Sequence, residues 1–208
     1  MKEHGIIFSA PMVRAIIEGR KTQTRRIIKN PEWYGCTTGD CPHGTQAACD
    51  EAMVFFAPHP VGTRLWVRET HYIEPGAQAA IAKGESLDEW VEYKADGDVS
   101  TAGEGGVRWR PSIHMPRWAS RITLEVTGVK VERVQDITSS DAVAEGCDSV
   151  VWESSAWKNP IGVPPDGAGE SVARSNFASL WQEINGMGSW AKNPWVWAYT
   201  FKVVEIKK

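Results

Sequence analysis

The sequence lacks an apolar run long enough to cross a membrane, has few cysteines, shows no internal repeat, and carries almost no excess of one charge. Each shortage excludes something. Without about 20 consecutive apolar residues, no segment reads as a membrane-spanning helix. Met1-Lys2-Glu3-His4, followed by a short apolar stretch, is not the pattern of a secretory signal, so a cytoplasmic location and no membrane partner are expected. A net charge of -3 argues against a protein that coats nucleic acid by charge alone. A local basic patch still grips phosphates inside an acidic whole, with modest and salt-sensitive affinity. No period or coiled-coil heptad marks a solenoid or a long helical rod. Of the 4 cysteines, Cys36, Cys41 and Cys49 crowd into a polar loop with His43, and Cys147 stands alone. The spacing C-x4-C-x-H-x5-C fits no standard zinc knuckle or ribbon, so a structural zinc and free thiols are both open readings. Disulfides are not expected in a reducing cytoplasm. With 208 residues, 42% hydrophobic and 24% charged, the chain is long enough for one core, and a single domain over 1–208 is expected.

Two segments carry chemistry. In the first, Ile6-Ile7-Phe8 reads as a short buried strand, and Ser9 is placed to cap a helix with Pro11 in its first turn. Met12, Val13, Ala15, Ile16 and Ile17 recur at helical spacing, and Gly19 ends the helix. Just beyond lie Lys21, Thr24, Arg25 and Arg26, a lysine, a hydroxyl and two guanidinium groups. These groups hold and attack a polar, anionic or carbonyl-bearing ligand. The same cluster also reads as a solvated basic helix end, favoured by the helix dipole.

In the second segment, Val61-Gly62-Thr63-Arg64-Leu65-Trp66-Val67-Arg68-Glu69-Thr70, a turn leads into the period-2 pattern of a strand with one buried face. Glu69 falls on the side of Leu65 and Val67, so it carries a carboxylate inward. An inward carboxylate is costly unless paired or functional, and a lysine or arginine of the first segment is its expected partner, for catalysis or as a structural ion pair.

Together the two segments resemble the ASCH superfamily. The carriers are the order strand, helix, Gly19-x-Lys21-x-x-Thr24-x-Arg26, then Gly62-x-x-Leu65-x-Val67-x-Glu69. The resemblance implies an α+β fold, a PUA-like mixed β-barrel with flanking short helices, and a link to RNA and nucleosides. The usual motif of that superfamily has an acidic residue where this chain has Thr24. The threonine version resembles small bacterial amidohydrolases that deacetylate N4-acetylcytidine, which implies Lys21, Thr24 and Glu69 as the reactive group. Trp109-x-Pro111-Ser112-Ile113-His114-Met115-Pro116-Arg117-Trp118-Ala119-Ser120-Arg121 and Asn193-Pro194-Trp195-Val196-Trp197 look more like the longer ASCH-type proteins of phages and prophages. The long loop insertions at about 30–60 and 149–173 have no counterpart in the small amidohydrolases.

The 11 tryptophans are the chain's conspicuous excess. Trp195 and Trp197 alternate with Val196 in a terminal strand expected to pack one face only. Trp181, with Phe177, Leu180 and Ile184, falls at helical spacing and reads as core. Trp66, Trp109 and Trp118 each neighbour arginine, an arrangement that either packs guanidinium on indole or stacks a base while the guanidinium holds its phosphate or carbonyl. Arg121 to Val134 alternates as a long or bulged strand with Gly128 at its bend. Thr138 or Ser139 caps a short helix that ends at Gly146. The loops Lys158–Gly169 and Gly97–Gly106 are rich in proline or glycine.

The expected activity is therefore hydrolysis of an amide on a modified pyrimidine nucleoside or base. Lys21 would act as base towards Thr24 or a water, Arg26 or a backbone amide would stabilise the oxyanion, and Glu69 would orient Lys21 and protonate the leaving amine. Arg26, Trp66, Arg68, His114, Arg117, Trp118 and Arg121 are the candidate substrate-binding residues, with His71 a further pocket candidate; no metal or other cofactor is required. The rival expectation is a module that binds RNA or single-stranded nucleic acid, or cleaves it, with the same basic, tryptophan-lined barrel face. A protein-interaction scaffold is a third. The oligomeric state is left open.

Overall fold

A computed structural model describes residues 3–29, 53–97, 108–147 and 171–207. Cys36, Cys41, His43 and Cys49, the expected insertions apart from their ends, and the loop after Gly97 lie outside these residues. In chain order the elements are β1 (Glu3–Ile7), α1 (Ala10–Ile17), β2 (Gln23–Ile27), β3 (Arg64–Arg68), β4 (His71–Ile73), α2 (Ala77–Ala82), β5 (Val91–Tyr93), β6 (Ile122–Arg133), α3 (Ser139–Ala144), α4 (Ser171–Asn185) and β7 (Trp195–Ile206). Strand neighbours run β1-β3-β6-β7-β2, and β4 with β5 forms a separate two-stranded sheet. This is a mixed α+β architecture whose helices are short apart from the 15-residue α4. Among the described residues the pairings trace an open order, so the barrel itself stays an expectation. Two compact units result, Met1–Gly19 with Val61–Thr127 and Phe201–Lys208, and Arg20–Pro60 with Gly128–Thr200.

In the first unit, β1 runs parallel to β3 from Glu3↔Arg64 to Ile7↔Arg68. Ile6 and Phe8 are buried, but Ile7 between them is exposed, so the expected buried run is an alternating strand. On β3, Leu65 and Val67 are buried while Trp66 and Arg68 are partly exposed, the period-2 arrangement expected. Gly5 pairs with Trp66, and a Cβ there would stand 2.8 Å from Arg68 Cδ and 2.9 Å from Trp66 Cζ2. Gly5→Ala is therefore expected to push the indole and the arginine stem off β1 and to cost about 1–3 kcal/mol. Thermal melts with tryptophan fluorescence check this; an unshifted melt would mean that both side chains yield at no cost.

Helix α1 follows the expected punctuation. Ser9 is extended at the N-cap position, although its side chain makes no capping hydrogen bond, Pro11 sits in the first turn, and Met12, Val13, Ala15 and Ile16 are buried. Ile17 faces out. Gly19 takes φ 76°, the left-handed conformation that glycine adopts without strain after a helix. A small core of Leu87, Val91, Tyr93, Met115 and Ala119 is flanked by Trp66, Trp90 and Trp118.

In the second unit, β2 lies antiparallel to β7 from Gln23↔Thr200 to Ile27↔Val196. β6 is one strand through Gly128. Thr138 caps α3 by accepting from the Asp141 amide at 3.1 Å. Phe177 and Trp181 of α4 pack with Val134, Ile137, Ala142, Cys147 and Val196. Ile184, expected in this core, is 61% exposed, because the apolar face of α4 is spent one turn earlier, at Phe177, Leu180 and Trp181. The one-sided packing expected of the terminal strand is also corrected. Val196, Trp197, Ala198 and Tyr199 are all buried, so both faces of β7 are covered over that stretch.

Candidate functional site

The second unit builds its site on the two faces of β2. Gln23 and Arg25 point to one face, Thr24 and Arg26 to the other, as successive strand residues must. On the Arg25 side lies a buried ionic network. Arg25 donates to Glu132 through Nε at 2.8 Å and to Glu145 through Nη1 at 3.0 Å, and its Nη2 lies 2.7 Å from Glu132 and 3.4 Å from Asp141. Gln23 bridges Asp141 and Arg25 at 3.0 and 3.2 Å. Lys130 adds a cation 2.5 Å from Glu132. Buried charges persist when such partners satisfy them, and the guanidinium fork reaches several carboxylates at once.

Lys21, 3% exposed, precedes β2 and completes this network. The Thr22 amide donates to the Ala144 carbonyl at 2.7 Å, which fastens the segment to the end of α3. From there the Lys21 ammonium donates to the Glu145 carboxylate and to the Glu145 carbonyl, both at 2.7 Å. A cation suits the unsatisfied carbonyls at a helix C-terminus. Burial pushes the Lys21 ammonium below its usual pKa, against the attraction of Glu145. Burial would raise Glu145, but Lys21 and Arg25 together hold it below the usual carboxylate range. Glu145 is thus held as the carboxylate of the pair, and burial weakens the hold of Lys21 on its proton while Glu145 strengthens it.

On the opposite face, Thr24 stands across from Tyr199 and Arg26 across from Trp197. Directly opposed residues of an antiparallel pair share a face. Thr24 is buried. A pocket of about 320 Å³ opens on this side, lined by Arg26, Ile27, Lys29, Pro58, His59, Trp197 and Tyr199. The His59 and Tyr199 rings lie 5.5 Å apart, and the Trp197 indole donates to the Met53 carbonyl at 3.4 Å. Burial raises the Tyr199 phenol to about 12, so it is neutral at physiological pH. Burial lowers Arg26 from its usual value, opposed by Glu145 and Tyr199.

The first unit holds the other expected carboxylate. Glu69, 1% exposed, lies just past β3 on the inward side, as its alternation implied. Its partner is not a cation of the Lys21 segment but Arg121, which donates through Nε at 3.0 Å and Nη2 at 3.1 Å. Arg121 also holds Asp96 at 2.7 and 2.8 Å and lies 3.9 Å over the Tyr93 ring. Burial raises the pKa of Glu69, Arg121 opposing; Arg121 itself, although burial would lower it, is carried up by Glu69 and Asp96. His71, fully buried, begins β4 and donates from Nδ1 to the Glu69 carbonyl at 3.0 Å. Burial lowers its pKa, keeping it neutral.

The remaining expected binding residues are in the first unit and make contacts within it. Arg68 lies 5.3 Å over the Trp66 ring and donates to the carbonyls of Ser112 and Ile113. Arg117 pairs with Glu3 at 2.8 Å. Trp118 packs against the Tyr93 core, and His114 is exposed in a short helical turn. Trp109 is covered by Lys94, at 5.4 Å. Sequence reasoning missed Glu132, Glu145, His59 and Tyr199. The one local signal was Glu145 at the end of a capped helix. No set of three or more possible metal-ligating side chains converges among the described residues.

No family model matches the chain, and no curated protein matches it by sequence. Among solved structures, it is similar to the crystal structure of an ASCH domain from Lactobacillus crispatus JV V101, with 14% identity over 98% of this chain and 80% of that chain and a TM-score of 0.38. A likeness that slight carries no argument, and function rests on the residues themselves.

Proposed function

We propose that this protein hydrolyses the amide of an N-acylated pyrimidine nucleoside or base of the N4-acetylcytidine type. The observation that carries the reading is Lys21, a buried lysine with a depressed pKa, fixed by Glu145 three residues before a buried threonine. In the reaction, Lys21, once its ammonium proton is lost, takes a proton from the Thr24 hydroxyl or from a water as that oxygen bonds to the acyl carbon. The carbon–nitrogen bond then breaks, and the amine leaves with the proton that Lys21 took up. Attack by Thr24 leaves an ester that a water hydrolyses, restoring the hydroxyl and releasing the carboxylic acid. Arg26 is the proposed oxyanion partner. Glu145 takes the orienting role first assigned to Glu69.

The nucleic-acid-binding reading has less support. Arg117 and Arg121 are paired with carboxylates of the same chain and Arg68 donates to backbone carbonyls, which leaves fewer donors for phosphates.

Chromatographic turnover of N4-acetylcytidine tests the proposal. Lys21→Met and Thr24→Val are each expected to lower kcat/KM by about 100-fold or more, the scale of a lost acid, base or nucleophile. Circular dichroism shows whether each variant is folded. Turnover near the parent value in both, or no turnover by the parent protein, sinks the reading.

A further inference from the structure

The two carboxylate oxygens of Glu145 serve different cations. Oε2 receives the Lys21 ammonium at 2.7 Å, and Oε1 receives Nη1 of Arg25 at 3.0 Å. Arg25 divides the rest of its guanidinium, with Nε on Glu132 at 2.8 Å and Nη2 between Glu132 at 2.7 Å and Asp141 at 3.4 Å. Lys21 acts as a base only after its ammonium has lost a proton, and that loss takes one cation away from a buried carboxylate. Arg25 is the cation that stays on Glu145 at that moment, since guanidinium groups remain charged in proteins. While Lys21 is charged, Lys21, Arg25 and Lys130 face the carboxylates of Glu132, Asp141 and Glu145. Lys130 is largely exposed, whereas the side chains of Lys21, Arg25, Glu132 and Glu145 are at most 4% exposed, where charges are little screened. Burial presses Lys21 towards its neutral form, Glu145 and the Cys147 thiol pull it back, and Arg26 of β2 adds to the effect of burial. Tyr199 of β7 acts on Arg26, and from α4 the Phe177 ring lies 5.8 Å from the Arg25 guanidinium.

We infer that Arg25 is a positioning residue for the proposed reaction: through Glu145 it sets how readily Lys21 releases its proton, and Glu132 sets how much of Arg25 is left for Glu145. The inference rests on the proposed hydrolysis for its bearing on catalysis and adds the control of that site's base. Arg25 and Glu132 act with opposite sign. Without Arg25, Glu145 has Lys21 alone, so proton loss strands a buried carboxylate and Lys21 keeps its proton to higher pH. Without the Glu132 charge, the guanidinium returns to Glu145 and Asp141, a cation is left in excess, and Lys21 releases its proton at lower pH. Both signs hold whichever member of the pair carries the proton, because a nearby cation favours its loss from either.

Two measurements test this on Arg25→Gln, Glu132→Gln and the double variant Arg25→Gln/Glu132→Gln, with melting curves showing which are folded. NMR of protein carrying isotope-labelled lysine follows the Lys21 ε-carbon through its titration, Lys21→Met identifying the signal. The pH profile of kcat/KM on N4-acetylcytidine follows the same proton in turnover. Activity needs the neutral Lys21 amine, so a proton held more firmly moves the rising limb of that profile to higher pH. Arg25→Gln is expected to lower kcat/KM at neutral pH by about tenfold or more, with recovery at higher pH, the scale of one lost charge at this range. Glu132→Gln is expected to move both the NMR titration and the rising limb to lower pH. The double variant loses one charge of each sign and is expected to titrate near the parent. It also spares the fold the uncompensated carboxylate that Arg25→Gln leaves, so it decides the matter if that single variant does not fold. A folded Glu132→Gln that titrates at or above the parent pH, a double variant displaced as far as Glu132→Gln, or losses of activity with no change in pH dependence each overturns the inference. The NMR arm separates the two claims. Lys21 titrations that move as expected, with no turnover by the parent protein, keep the control of Lys21 by Arg25 and remove the hydrolase. Turnover with a pH profile and a Lys21 titration indifferent to both residues keeps the hydrolase and removes the inference.

Discussion

Glu145→Gln is expected to destabilise the second unit by about 3–5 kcal/mol, the usual loss when one partner of a buried ion pair is removed. The carboxylate receives Lys21 at 2.7 Å and Arg25 at 3.0 Å, and all three residues are buried. Arg25 keeps Glu132 and Asp141. Lys21 keeps the Glu145 carbonyl but loses the charge that offset its burial, so its pKa falls further and it is driven neutral. The double variant Lys21→Met/Glu145→Leu removes the buried pair and fills its volume with apolar atoms, and is expected to recover most of the loss. Chemical denaturation of the single and double variants measures this. A double variant no better than Glu145→Gln would mean that Glu145 matters mainly to Arg25. Turnover gives an independent readout, because under the proposed mechanism the stable double variant is inactive. Recovered stability with retained hydrolysis would make Lys21 a structural residue.

Arg121→Met is expected to cost the first unit a similar amount, about 3–5 kcal/mol at neutral pH. All but one of the N–H groups of Arg121 are used on Glu69 and Asp96. Asp96 is half-exposed and resolvates; Glu69 cannot, and is left as a buried, uncompensated charge. The loss should depend on pH with a definite sign. The pKa of Glu69 is already raised by burial, so the folded state binds its proton more readily than the unfolded chain does. A carboxylate of that kind favours folding below its unfolded pKa and disfavours it as pH rises through the folded one. Removing Arg121 widens that window, so the gap between variant and parent should narrow on going from mildly alkaline to mildly acidic pH. His71, the other buried titratable group beside Glu69, has its pKa lowered and is common to both proteins, so it drops out of the difference. A loss equal at every pH would place the effect in packing on Tyr93 and not in charge.

Much of the local structure was legible without coordinates. The alternation through Leu65, Val67 and Glu69 placed a carboxylate inward, and the strand does so. Thr138 and Gly146 bracketed α3, and Ser9, Pro11 and Gly19 bracketed α1. Ile184 failed because helical spacing marks a face but not how far along the helix that face is covered. β7 failed because alternation is a sign of one-sided packing, and its buried stretch is covered on both sides. The proposed site was legible only in part. Lys21, Thr24 and Arg26 stood out as chemistry-bearing types in one short segment, while Glu145 looked like an ordinary helix-end glutamate and His59 and Tyr199 carried no pattern.

What the sequence by itself determined is therefore the placement of each group relative to its own backbone: inward or outward, capped or extended, on one face of a strand or the other. Those outcomes follow from sterics and burial acting over a few residues. Only the tertiary structure decided which charges meet. Lys21 found Glu145 at a separation of 124 residues, and Glu69 found Arg121 at a separation of 52. Any of several cations could satisfy a buried carboxylate equally well on chemical grounds, and the choice among them belongs to the packing of strands and helices that brings distant segments within hydrogen-bond reach.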